Sequence, residues 1–158
     1  MSEVLPRTYD SQVCSIARAL ETIGDRWTLL VIRDLFLGLR RFEDLQRDLG
    51  VARNVLTDRL GRLVEDGIVE RRLYQERPER YEYRLTAKGL DLWPVMISLM
   101  KWGDRHSPDE GGAPTVVVHR DCGGEIDERF NCRRCGEPID VRSAQVLRRP
   151  DLMPAPAA

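Results

Sequence analysis

Three of the four cysteines in this 158-residue chain fall in one short stretch near its end. His119 and Cys122 are spaced H-x2-C, Cys132 and Cys135 are spaced C-x2-C, and nine residues separate the pairs. Two tight turns that each present two ligands can close a tetrahedral site of three sulfurs and one nitrogen, a ligand set suited to structural zinc. Gly123 and Gly136 follow the second ligand of each pair, where such a turn needs backbone freedom. A site closed by four protein ligands has no open position, so it implies folding and not catalysis. His119 is the weakest ligand of the four; Asp121 or a water could replace it. Free thiols in a chance spacing are the alternative, and iron suits a histidine ligand less well.

Cys14 stands apart. It lies where a helix begins, and a helix dipole can lower a thiol's pKa there. It is either a reactive thiol or a small residue in a subunit interface. His106 reads as solvent-exposed and structural. An enzyme finds little support: the two histidines are far apart, and there is no nucleophile motif and no glycine-rich phosphate loop.

A second group of side chains suits nucleic acid. On the stretch from Ala52 to Asp66, Leu56, Leu60, Leu63 and Val64 share one helical face. Asn54, Asp58, Gly61 and Arg62 lie opposite, with Arg53 and Thr57 at the flanks. Such a helix can enter a major groove, with Arg53, Asn54, Thr57 and Asp58 placed to meet base edges. Arg59 and Arg62 would meet phosphate. Downstream, Arg77 and Arg80 flank Pro78 at a hairpin tip, where they suit phosphate or minor groove. Glu76, Glu79 and Glu82 alternate with these arginines, so a salt-bridged surface is the competing reading.

The elements that must position these groups follow from apolar periodicity. Val13, Ile16, Ala17, Leu20 and Ile23 mark a helix stopped by Gly24. RWTLLVIRDLFLG (26–38) is apolar nearly all round and reads as a buried helix. A short helix runs from Phe42 to Leu49, then the turn at Gly50, then the helix from about Ala52 to Asp66. IVERRLYQ (68–75) and YEYRLT (81–86) alternate as strands. A last helix spans about Ala87 to Arg105, with a kink or break expected at Pro94. Its stretch LWPVMISLMKW (92–102) is apolar on almost every side, more than a domain of this size can cover, which favours a two-fold dimer. The order is that of a winged helix-turn-helix, a mainly α (α+β) fold.

SPDEGGAP (107–114) reads as a linker. The expected divisions are a flexible start at 1–12, a DNA-binding and dimerisation domain at 13–106, the linker, a small β-rich segment at 115–149 and a disordered tail at 150–158. VVV before the first ligand pair and IDVRSAQVL after the second give the segment a rubredoxin- or zinc-ribbon-like shape. The opening MSEVLPRTYDSQ does not read as a signal peptide, and no run of 18 apolar residues spans a membrane, so a cytoplasmic location is expected.

Residues 12–105 resemble the HxlR-type winged-helix regulators, relatives of the MarR and ArsR groups. The carrying residues are IGDRWTLLVIRDLFLGLRRFEDLQRDL (23–49), VLTDRLGRLVEDGIVERRLY (55–74), RPERYEYRLTAKGLDL (77–92) and Trp102-Gly103. The resemblance implies a homodimeric bacterial transcription factor, usually a repressor, bound to double-stranded operator DNA and so nucleoid-associated when active. It implies a recognition helix at 52–66, a wing at 76–82, dimerisation through the first and last helices, and a small-molecule or oxidant inducer, with Cys14 as the candidate oxidant or electrophile sensor. Two positions depart from the pattern. Ala52 stands where a capping serine is frequent, and Pro78 is the wing's only proline. A dimeric protein-interaction module using the ribbon is the other reading.

Bulk charge adds little. Lys plus Arg total 25 and Asp plus Glu total 26, which excludes a strongly basic tail-type binder. Residues 1–105 carry 18 basic and 17 acidic side chains. A DNA reading therefore rests on where arginines sit, and non-specific binding should be weak.

Overall fold

The computed structural model describes residues 8–9, 12–108 and 110–148, and the chain divides into two compact units after Leu90. Most of the 1–12 segment and all of the 150–158 tail lie outside the described residues.

The first unit begins with α1 (Ser15–Ile23), α2 (Thr28–Phe36), α3 (Phe42–Leu49) and α4 (Arg53–Glu65). Ile32, Val31, Leu45, Leu56, Leu60 and Leu63 form its innermost core. The leucine stripe of α4 faces this core as its spacing predicts, except that Val64 is exposed. On α1, Ala17 and Ile23 are buried, whereas Ile16 and Leu20, with Val13 just before the helix, are exposed.

Glycines set where the helices stop. After α4, Gly67 N–H donates to the Val64 carbonyl (3.0 Å) and Ile68 N–H to the Leu63 carbonyl (2.9 Å). That is a Schellman closure, with Gly67 at φ +68°. Gly38 and Leu39 close α2 in the same way on Leu35 and Asp34. Gly50, at φ +64°, turns the chain between α3 and α4.

β1 (Val69–Glu76) and β2 (Glu79–Leu85) pair antiparallel from Val69↔Leu85 to Glu76↔Glu79, with an irregularity between Leu73 and Gln75. The residues before α3 join this hairpin: Arg41 bridges Glu82, and Tyr83 N–H donates to the Arg40 carbonyl (2.8 Å). The hairpin is thus fixed to the helix that precedes the turn. The short α5 (Ala87–Leu90) follows, with Gly89 against the Ile68 carbonyl where a Cβ would collide.

The second unit holds α6 (Trp93–His106), β3 (Thr115–His119) and β4 (Ala144–Arg148). The helix expected over 87–105 is two helices, parted at Asp91 and Leu92. Pro94 does not kink a continuous helix; it sits in the first turn of α6, where its missing N–H removes no helical bond. The break also moves the boundary. α6 stands with the C-terminal segment, upstream of the linker at 107–114. β3 and β4 pair antiparallel from Thr115↔Arg148 to His119↔Ala144. Among the described residues no helix is long and apolar enough to cross a membrane.

Candidate nucleic-acid interface and metal centre

The outer face of α4 is built from short-range geometry. Arg53, Asn54, Thr57 and Asp58 are all exposed and together line one open depression. The Thr57 hydroxyl donates to the Arg53 carbonyl (2.8 Å), which fixes its rotamer. The Arg53 guanidinium lies over the Phe42 ring, 4.7 Å from its centre. This contact holds the first residue of α4 against α3 with its charge still exposed. Ala52 supplies no side-chain cap, as its type requires. Arg62 is exposed and reaches Asp58 at 3.3 Å.

Arg59 departs from the expected role. Its side chain is only 17% exposed and pairs with Asp25 at 3.0 Å and Asp58 at 2.9 Å. Residue 59 falls between the leucine stripe and the outer face, so its guanidinium turns in toward the α1–α2 connection. It ties α4 to the rest of the unit and is not displayed for phosphate.

The wing divides its charges by position. Arg72 pairs with Glu70, Arg84 pairs with Glu82 at 2.7 Å, and the Tyr81 hydroxyl donates to Glu79 at 2.9 Å. Arg71 lies over the Tyr81 ring. The lower hairpin is therefore a salt-bridged surface. At the tip, Arg77 and Arg80 are exposed, and no ion pair among the described residues holds either of them. The competing reading applies to the strands and not to the tip.

The metal-type spacing closes into a cluster. The ligand atoms of His119, Cys122, Cys132 and Cys135 all lie within 4.8 Å of one another. His119 Nδ1 is 3.2 Å from Cys135 Sγ and 3.5 Å from Cys122 Sγ. Cys122 Sγ is 3.3 Å from Cys132 Sγ and 3.6 Å from Cys135 Sγ. Ligands about 2.3 Å (sulfur) and 2.0 Å (nitrogen) from a tetrahedral ion would stand roughly 3.8 Å (S–S) and 3.5 Å (N–S) apart. The cluster could therefore hold a metal ion with little adjustment. Asp121 lies on the other side of the imidazole, 3.9 Å from Nε2, and does not replace His119 as a ligand.

Local structure explains the convergence. His119 ends β3, and Gly123 N–H donates back to its carbonyl (2.8 Å). Gly136 N–H donates to the Cys132 carbonyl (2.9 Å), which closes the second turn. Both glycines have positive φ, +72° and +77°. Gly124 is needed for another reason: a Cβ there would strike Cys132 Sγ and Arg134. Spacing alone did not reveal that close approach.

The thiols are electrically matched to a cation. Burial pushes the Cys132 thiol up. The backbone N–H groups of Cys135 and Arg134, with the neighbouring sulfurs, outweigh it and bring the value down to about 6. At Cys135 the Glu137 N–H favours the thiolate, but burial and the Cys132 and Cys122 sulfurs raise the value. Three thiols this close do not all ionise unless a positive charge joins them.

Cys14 is the N-cap residue of α1 and is exposed. The backbone N–H groups of Ala17 and Ile16 lower its pKa, as expected at a helix start. Within the single chain it is not a buried packing residue. His106 is exposed at the end of α6, its ring near Trp102.

Comparison with known proteins fits this geometry. The HxlR-like helix-turn-helix family matches residues 22–110, more than half of the chain. The uncharacterized HTH-type transcriptional regulator Rv3095 of Mycobacterium tuberculosis is 47% identical over 129 residues, 82% of each chain. A match of that length in 158 residues necessarily runs past the helix-turn-helix domain into the ribbon. The solved structure of PA1607, a candidate transcription factor, shares 36% identity with a TM-score of 0.67, covering 87% of this chain and 96% of that one. The redox regulator HypR in its oxidized form shares 31% identity with a TM-score of 0.55, over 59% of this chain and 97% of its own. A winged helix with α4 outward, the hairpin beside it and these relatives place the chain in one group: it belongs to the HxlR-like helix-turn-helix family of transcriptional regulators.

Proposed function

We propose that the chain is a homodimeric, sequence-specific repressor that reads operator DNA with α4 and the wing tip and carries one structural zinc in its ribbon. The observation that supports it best is the contrast in charge state across the hairpin. Arg72 and Arg84 on the strands are paired with Glu70 and Glu82 and Arg71 lies over the Tyr81 ring, while no ion pair among the described residues holds Arg77 or Arg80 at the tip, beside an exposed polar helix face. Arg53, Asn54, Thr57 and Asp58 meet base edges in this reading, and Arg62, Arg77 and Arg80 meet phosphate or minor groove. Two α4 helices would enter half-sites about one helical turn, ~34 Å, apart.

Dimerisation is supported by apolar side chains left uncovered in the single chain: Val13 just before α1, Ile16 and Leu20 on it, and Val95, Leu99 and Trp102 on α6. Zinc is supported by the donor set, since three thiolates and an imidazole in a closed tetrahedron select it over harder ions. Nothing in this reading requires catalysis.

The test is titration onto the promoter next to the chain's own coding sequence across a salt series. Arg77→Ala should weaken binding to every sequence alike and flatten the salt slope by about 1. An unchanged slope would remove the wing tip from the phosphate contacts. No preference over random DNA would favour the protein-interaction reading instead.

A second reading concerns control. Cys14 is exposed with a lowered pKa, and HypR is a redox regulator. Oxidant should release wild-type protein from its operator, and Cys14→Ser should stay bound under the same treatment. Equal release of both would take Cys14 out of the response.

A further inference from the structure

We propose that the ribbon is a metal-dependent clamp on α6: with its four ligands loaded, the turn between Cys122 and Cys132 grips one face of α6, and losing the ion frees that helix. This rests on the metal reading above. It assigns the ribbon a task that neither DNA contact nor folding of the ribbon itself requires.

Three contacts make the grip. The Trp93 and Phe130 rings pack 5.9 Å apart, inclined at 50°. Lys101 Nζ donates to the Ile126 carbonyl at 2.7 Å. Arg105 approaches Glu128 at 3.8 Å, near the surface. At about 100° per residue, Trp93, Ile97 and Lys101 fall within about 80° on the helix circumference. Val95, Leu99 and Trp102 lie on the opposite side, exposed. The ribbon therefore holds α6 from behind the face that a second subunit would meet.

All three ribbon partners, Ile126, Glu128 and Phe130, lie between the second and third ligands. The cluster dictates the shape of that turn. Ile126 bridges Cys132, and Arg134 Nη1 donates to the Cys122 carbonyl at 2.6 Å. Gly124 fits against Cys132 Sγ with no room for a Cβ. Asp127 Oδ1 accepts the N–H groups of Arg129 and Asn131, both at 2.8 Å. Phe130 is held at φ +65°, a left-handed conformation that a bulky side chain keeps only where its surroundings over-determine it. Ile139 N–H supplies one of those restraints through the Phe130 carbonyl, at 2.7 Å.

Without an ion the clustered thiols have no common attraction and the turn loses its anchor at both ends. Phe130 then has no reason to keep its conformation, and Trp93 loses its partner. An isolated 14-residue helix is marginal in water, so α6 should loosen where the grip is lost. The device would make the ordering of α6 depend on the state of four side chains outside the DNA-binding elements.

Amide hydrogen exchange on the full chain, before and after removal of metal by a chelator, tests this. Exchange across Trp93–His106 should accelerate at least tenfold on chelation, with α2 and α4 unchanged. Lys101→Met removes the grip from the helix side and touches no ligand. It should accelerate exchange in α6 while elemental analysis still finds the ion bound. Loss of the ion with faster exchange in the ribbon but not in α6 would overturn the clamp alone. Protein that never holds an ion, even when purified with added zinc, would overturn the metal reading and the clamp with it.

Discussion

Cys132→Ser should abolish metal binding and leave residues 115–148 unfolded, while the winged helix keeps its structure. The ribbon has few resources besides its ligands. Its buried apolar side chains among the described residues are Val117, Val118, Ile126, Ile139 and Ala144, with Cys132 itself. The sheet is two five-residue strands. Segments below about 40 residues seldom fold on such a core without a metal or a disulfide. All four cysteines are free thiols. Structural zinc typically supplies ~10–16 kcal/mol of apparent folding free energy, far more than these few side chains can. Elemental analysis should find about one zinc per wild-type chain and none in the variant. Exchange protection should vanish from β3 and β4 and persist in α2 and α4. A ribbon that stays protected with no metal bound would show that its core suffices.

Asp34→Asn should change how stability depends on pH, by about as much as a whole small core residue contributes. Asp34 is fully buried in α2. Its Oδ1 accepts Arg33 Nε at 2.7 Å, but Oδ2 accepts no hydrogen bond among the described residues. Burial raises its pKa from 3.8 to about 6; Arg33 opposes this and Asp48 adds to it. The sign follows from linkage. The folded state holds this proton more tightly than the unfolded chain, so folding is favoured below about pH 4. That advantage is lost as pH rises through about 6. The difference corresponds to about 3 kcal/mol at roughly 1.36 kcal/mol per pH unit. Asparagine has no charge to bury. Relative to wild type, Asp34→Asn should therefore gain about 3 kcal/mol between pH 4 and pH 7 in urea unfolding. A constant difference across that range would mean that Asp34 is solvated or paired well enough to ionise freely.

Local features were legible in the sequence because local forces make them. Gly38, Gly50 and Gly67 mark helix ends that only a left-handed residue closes, and the leucine stripe of α4 fixes which side is buried. The His/Cys cluster was legible because a tetrahedral site restricts ligand spacing more than most structure does. The parting at Asp91 and Leu92 was legible only as the kink or break expected at Pro94, and its exact place was not. Both sides of it have helix-compatible periodicity, and Pro94 is equally at home in a kink or a first turn. Arg59 was misplaced for a related reason: a flank position on a helix turns inward or outward according to whether an acid waits there, and Asp25 is 34 residues away in sequence. Asp34 left a signal that could have been read. A helix apolar nearly all round offers its one acid no side facing water. Contacts such as Trp93 with Phe130 leave none, since they join segments whose patterns are independent.

The parting of the last helix bears on how a chain of this kind could be cut or lengthened. By family likeness the helix-turn-helix domain ends at residue 110, which invites treating everything after it as a removable cassette. By packing, the seam lies at Leu90, and the final helix shares its unit with the segment that follows. A truncation at 110 would strip the Trp93 ring of its aromatic neighbour and leave the Lys101 ammonium without the carbonyl it donates to. Inheritance and packing thus place the seam about 20 residues apart, and a shortened protein should be judged by the second.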